Sequence, residues 1–106
     1  MTTTLMAPPQ QLAALFADLT EQWRTETRLL SSTSDIAMHP AYQRTIGLGP
    51  QVIPLILTEL QKQPDHWFWA LKALTGENPV PIAERGRLPA MASAWLEWGR
   101  KSGWIA

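Results

Sequence analysis

The sequence lacks cysteine, has only two histidines, and carries no excess charge of either sign. Without cysteine the chain can form no disulfide, no thiolate metal site and no cysteine nucleophile. Its nine basic and nine acidic side chains give a formal net charge of zero. No overall electrostatic attraction therefore draws the chain to nucleic acid or to an anionic membrane.

Long apolar runs are also missing. No stretch approaches the roughly 18 consecutive apolar residues that a membrane-spanning helix needs. The opening residues, MTTTLMAPPQ, contain neither a basic residue nor the apolar segment of a signal peptide. The sequence therefore predicts a cytoplasmic protein that has no membrane partner.

Tryptophan, in contrast, is abundant. Hydrophobic residues make up 45% of the 106 residues, and six of them are Trp. Each indole buries about 150–250 Å² when it packs, so a single domain of this length can build a real core. We expect most of the indoles in that core. The six are Trp23, Trp67, Trp69, Trp95, Trp98 and Trp104.

The spacing of apolar residues predicts an all-α fold, because helical periodicity recurs and strand-like alternation does not. Residues 1–7 are expected to be flexible, and residues 8–106 to form one compact bundle of about five helices. Asp65 is the expected N-cap of the fourth helix. The predicted helices span about 8–30, from 39 to the turn at 47–50, 50–60, 66–74, and from about 89 to the turn at Gly103.

Residues 47–76, GLGPQVIPLILTELQKQPDHWFWALKALTG, resemble the junction between two HEAT-like repeats. The resemblance covers about one and a half repeat units, whereas an α-solenoid needs at least three. It therefore implies HEAT-like packing of one helix pair and not a solenoid.

Four further stretches, WRTETRLLSS, HPAYQRTIGLGPQVIPLIL, DHWFWALKALTGENPVP and AWLEWGRKSGW, resemble a family of small uncharacterised all-helical bacterial proteins. The resemblance would span most of residues 20–104. It implies a complete helical domain of bacterial type, and it implies nothing about mechanism.

Three aromatic residues follow one another at 67–69. A helix turns by about 100° per residue, so Trp67 and Phe68 can face the core while Trp69 faces away. Either this helix is buried between two layers, or Trp69 belongs to an exposed patch that docks a protein or a second copy of the chain. Leu55 lies off the main apolar stripe of its helix and is a second exposed candidate. The protein-binding candidates are Trp69, His66, Leu55 and Glu59.

A carboxylate interrupts the apolar stripe of the first helix. Glu26 follows Leu19 and Trp23 on the same side, and a carboxylate there must find a cation or hydrogen bonds. It is either a paired or solvated surface residue, or part of a polar pocket for a small ligand. The pocket candidates are Glu26, Tyr42 and Arg44, with Thr27 nearby.

Signatures of catalysis and of metal binding are absent from the sequence. His39 and His66 do not have the i, i+4 spacing of metal ligands, and His39, just before Pro40, is the expected entry residue of a helix. There is no G-x-S-x-G, no phosphate-binding glycine loop and no motif that assigns acid and base roles to a carboxylate pair. The sequence therefore predicts no enzyme, no metal and no cofactor.

The C-terminal third contains the candidate nucleic-acid residues Arg85, Arg87, Arg100 and Lys101. Glu84 and Glu97 stand among them, and the dipole of a helix favours cations at its C-terminus without any ligand. The leading hypothesis is therefore a non-catalytic protein-interaction module. A nucleic-acid-associated regulator and a small-ligand binder remain the alternatives.

Overall fold

The computed structural model describes residues 9–106, which form six α-helices and no strand. The predicted all-α bundle is confirmed. The predicted flexible segment 1–7 and a helix start at Pro8 lie outside the described residues. The helices are α1 (Pro9–Thr27), α2 (Thr33–Ala37), α3 (Pro40–Gly47), α4 (Ile53–Lys62), α5 (Phe68–Thr75) and α6 (Leu88–Lys101), with short 3-10 turns at Pro50–Val52 and Ile82–Glu84.

Helix α2 is the element that the sequence prediction missed. The segment SSTSD was interpreted as a break after a helix extending to about residue 30, but it begins a new helix. The Ser32 hydroxyl accepts a hydrogen bond from the Asp35 N–H (3.4 Å) and caps α2. Helix α1 ends earlier than predicted, at Thr27, and Leu29 beyond it is 91% exposed.

The core forms where α1 packs on α3, α3 on α5, and α4 on α6. Three indoles, those of Trp23, Trp67 and Trp95, are almost fully buried. The Trp67 ring lies 4.7 Å from the Trp23 ring and 5.5 Å from the Phe16 ring, measured between centroids. Three of the six predicted indoles therefore form the core, and Trp98 is partly buried against it. Trp69 and Trp104 are 44% and 37% exposed.

Helices α4 and α6 approach each other closely at Gly99. A Cβ atom placed on this glycine would lie 2.7 Å from the Leu57 Cδ1 atom, and Leu57 is itself fully buried. Helix α4 thus makes its main contact with α6, and α5 makes its main contact with α3. The predicted HEAT-like pair, α4 and α5, does touch, but it is not the dominant packing of either helix.

Helix α5 is capped from a distance. Asp65, its predicted N-cap, instead accepts the N–H of His66 (2.8 Å), and Trp67 occupies the cap position without a capping side chain. The Tyr42 hydroxyl on α3 accepts the N–H of Ala70 (2.9 Å) and donates to the carbonyl of His66 (2.9 Å). One hydroxyl therefore fixes both where α5 begins and how its first turn is oriented.

Candidate functional site

Helix α5 presents Trp69 to the outside. Its neighbours Trp67, Phe68, Ala70 and Leu71 are all buried, whereas Trp69 is 44% exposed. The alternative in which the helix lies buried between two layers is therefore wrong for this residue. Because tryptophan is enriched in binding hot spots, this exposed indole is a candidate contact for a partner.

Trp69 borders a surface hollow of about 290 Å³. We call it the Trp69 hollow. Its apolar lining comes from three separate segments, namely α2, α5 and the start of α6 together with the preceding loop. The apolar lining residues are Ala37, Phe68, Trp69, Leu88 and Met91.

The remaining lining of the Trp69 hollow is polar or backbone: Thr33, His66, Lys72 and Gly86. Gly86 has a positive φ of 91°, which favours glycine, and its N–H points to the Met91 sulfur (3.3 Å). The Tyr42 hydroxyl holds the backbone of His66. These contacts hold two walls of the hollow in place.

Leu55 and Glu59 lie elsewhere. Both line a groove of about 550 Å³ between α1 and α4, and neither lines the Trp69 hollow. Leu55 is half-buried and packs against the core, so it is not the exposed apolar residue that was predicted. The four predicted protein-binding residues therefore divide into two separate surfaces.

Glu59 is engaged within the chain. Its carboxylate accepts hydrogen bonds from Arg24 (3.2 Å) and from Lys62 (3.0 Å). Partial burial alone would raise the pKa of this carboxyl, but the bonds from Lys62 and Arg24 outweigh burial and hold the pKa below its ordinary value. Glu59 therefore stabilises the fold, and the geometry does not favour it as a contact for a partner.

Arg24, which the sequence analysis did not single out as a site residue, joins three elements. It extends from α1 to Glu59 on α4 and donates to Asp65 in the α4–α5 connection (2.9 Å). Its guanidinium also lies 5.9 Å from the centre of the Trp67 ring. Within residues 9–106, four buried side-chain groups have no hydrogen-bond partner, and three of them belong to Arg24 or to residues beside it. These three are Arg24 Nη2, Trp67 Nε1 and Thr20 Oγ1.

The residues of the predicted polar pocket do not converge on a shared cavity. Glu26 is exposed and bonds to His39 Nε2 (2.8 Å), while His39 Nδ1 accepts the Ala41 N–H (3.1 Å) at the start of α3. The expected role of His39 as a helix-entry residue is confirmed, and Glu26 is a paired surface residue. Arg44 is exposed and forms no ion pair within the described chain.

Tyr42, the third residue of that predicted pocket, is buried beneath α5. Both bonds of its hydroxyl are made to backbone groups. Burial raises the pKa of this hydroxyl far above its ordinary value, so Tyr42 stays protonated and keeps donating to His66. The geometry therefore gives Tyr42 a structural role.

The four candidate nucleic-acid residues are exposed but not equally available. Arg85 donates to the carbonyl of Val80 (3.4 Å), and Lys101 pairs with Glu97 (2.9 Å). A shallow groove of about 610 Å³ beside Trp98, which we call the Trp98 groove, is lined by Glu84 and Glu97 as well as Lys101. Of the four candidate cations only Lys101 lines this groove, where it lies beside two carboxylates, so the four do not share one basic groove.

Metal-ligand clusters and membrane-spanning helices are both absent from the part of the chain that the structure describes. Between residues 9 and 106, His, Asp and Glu side chains form no group of three that could hold a metal ion. No helix in the same range is long and apolar enough to cross a membrane.

Most residues that line the Trp69 hollow were not predicted from the sequence. Only Trp69 and His66 were singled out, because they lie on one predicted helix. Ala37, Leu88 and Met91 are apolar residues of ordinary appearance, and only the folded chain brings them beside Trp69. No local signal in the sequence could have identified them.

Comparison with known proteins gives no relative. No family model, no curated protein and no solved structure matches the chain. The two resemblances stated from the sequence, to HEAT-like repeats and to a family of small bacterial proteins, therefore stay predictions.

Proposed function

We propose that this chain is a non-catalytic protein-interaction module, which holds an apolar side chain of another polypeptide in the Trp69 hollow. One observation supports the proposal above the others: an indole that is 44% exposed stands at the edge of a concave, largely apolar surface. Covering it would remove apolar area from water, which favours association.

The shape of the Trp69 hollow suits an anchor residue. A pocket bordered by tryptophan and lined by aliphatic and sulfur-containing side chains is typical of the centre of a protein interface. Its walls are held by the Tyr42–His66 bond and by the Gly86–Met91 contact. A preformed hollow loses little conformational freedom when a partner binds, so more of the contact energy appears as affinity.

The proposal retains Trp69 and His66 and omits Leu55 and Glu59. The latter two line a different groove, and Glu59 is already satisfied by Arg24 and Lys62. The protein is proposed to act in the cytoplasm, without a cofactor, and its partner is another protein or a second copy of itself.

Selection from a displayed library of random peptides would test the function. We expect peptides that bind the wild-type protein and lose affinity about thirtyfold for Trp69→Ala. A tryptophan hot spot is worth about 2 kcal/mol or more, and each 1.4 kcal/mol is tenfold in Kd. The readout is the Kd of each synthetic peptide, measured by fluorescence anisotropy.

Trp104→Ala is the matched control. Trp104 is 37% exposed, close to the exposure of Trp69, but it does not line the Trp69 hollow. Its replacement should leave the Kd unchanged. The proposal is wrong if no peptide is selected, or if Trp69→Ala and Trp104→Ala bind the selected peptides equally well.

A further inference from the structure

We propose that the partner segment is acidic, with carboxylates on either side of the apolar side chain that enters the Trp69 hollow. This inference rests on the proposed function, since it names the chemistry of the partner at the same site. The charge around the hollow supports it: Lys72 lines the hollow, Arg87 lies between two lining residues in the chain, and neither forms a salt bridge within residues 9–106.

Lys72 is the first of these cations. It lies on α5 one turn after Trp69, lines the hollow, and is exposed. It forms no salt bridge with any residue in the range 9–106. No carboxylate is among the residues that line the hollow, so a partner's carboxylate beside Trp69 would find Lys72 available.

Arg87 is the second cation. Both of its chain neighbours, Gly86 and Leu88, line the Trp69 hollow, and Arg87 itself is exposed. Its backbone is held at both ends: its N–H donates to the Glu84 carbonyl (3.1 Å), and its carbonyl accepts the Met91 N–H (2.9 Å). The Arg87 backbone is therefore fixed next to the hollow, and the salt bridges of the described chain do not include Arg87.

Asp35 lies on α2 between Thr33 and Ala37, but it does not itself line the hollow. The carboxylates that follow Val80 in the chain line a different surface. Glu84 and Glu97 line the Trp98 groove, where Lys101 bonds to Glu97 and lowers the pKa of its carboxyl. The chain has zero net charge, so the attraction we infer depends on where the charges lie. Screening limits such an attraction to about 10 Å at moderate salt, which confines it to groups near the hollow.

The charges of the peptides obtained in the same selection test the inference. Peptides whose binding depends on Trp69 should be enriched in Asp and Glu within a few residues of a bulky apolar side chain. Their affinity should fall as salt rises. Lys72→Glu and Arg87→Glu should each raise the Kd of these peptides about tenfold, because the substitution replaces attraction with repulsion at a partly desolvated contact.

Arg100→Glu provides the matched control. It makes the same change in net charge at an exposed position near the far end of α6 from the hollow. Binding of the acidic peptides should change less than twofold. Circular dichroism of each variant would confirm that these surface substitutions leave the helices intact.

The outcomes separate the two proposals. If the peptides that depend on Trp69 are neutral or basic, the proposal of an acidic partner is wrong, but the proposed interaction function is supported. Absence of any Trp69-dependent peptide would overturn both. If a fluorescent dT oligomer binds the wild-type protein and not Trp69→Ala, the rim of the hollow binds nucleic acid. If the wild-type protein self-associates and Trp69→Ala does not, the hollow binds a second copy of the chain. Either result would overturn the acidic partner.

Discussion

Replacing Trp67 with alanine is expected to lower the free energy of unfolding by about 4 kcal/mol or more. Removal of a buried tryptophan costs about 3–5 kcal/mol, and each aromatic pair adds roughly 0.5–1.5 kcal/mol. Trp67 contacts the rings of Phe16, Trp23 and Tyr42, and it lies beneath the Arg24 guanidinium. The unpartnered Trp67 Nε1 group partly offsets the loss, because its burial is unfavourable in the native protein.

Trp69→Ala is the control for this prediction. It is the same substitution two residues further along the chain, on the exposed side of α5. We expect its effect on stability to be well below that of Trp67→Ala. Urea denaturation followed by circular dichroism measures both values, and similar losses for the two variants would contradict the assignment of Trp67 to the core and Trp69 to the surface.

Tyr42→Phe is expected to cost about 1–3 kcal/mol, a large effect for the loss of one oxygen atom. The substitution leaves the N–H of Ala70, a fully buried residue, without an acceptor and the His66 carbonyl without its donor. Unsatisfied buried groups carry a penalty of this size. Because α5 has no capping side chain of its own, the substitution should destabilise the first turn of α5, the helix that carries Trp69.

Amide hydrogen exchange would locate that loss. In Tyr42→Phe, the Ala70 amide should lose protection more than the Leu71 amide, which bonds to the Trp67 carbonyl (3.0 Å) within the same helix. An unchanged free energy of unfolding, together with unchanged exchange at Ala70, would show that the hydroxyl does not cap α5.

The sequence predicts those parts of the fold that depend on residues close together in the chain, and it misses those that depend on residues far apart. Helical periodicity and proline positions predicted five of the six helices, because those signals are local. The sequence missed α2, whose only signal is a short Ser/Asp cap. It also assigned the cap of α5 to Asp65, since the chain alone cannot show that a hydroxyl 28 residues away, that of Tyr42, would reach Ala70.

The candidate site shows the same limit. The step of 100° per residue separated Trp67 from Trp69 correctly, and it left open whether Trp69 was covered. What covers or exposes a helix face depends on neighbouring elements, and here α2 and the Gly86–Met91 segment form a hollow rather than a lid. Glu59 was predicted to contact a partner, but its pairing with Arg24 depends on how α1 and α4 pack, which the sequence does not show.

A partner that binds in the Trp69 hollow must change the surroundings of the Trp69 indole. The most direct test is a two-dimensional NMR spectrum of the indole N–H groups, recorded as the tightest selected peptide is added. We expect the Trp69 signal to shift in a saturable way, while the Trp104 signal, from an indole of similar exposure, stays in place. A peptide that binds while the Trp69 signal does not move would contradict the proposal that a partner binds in the hollow.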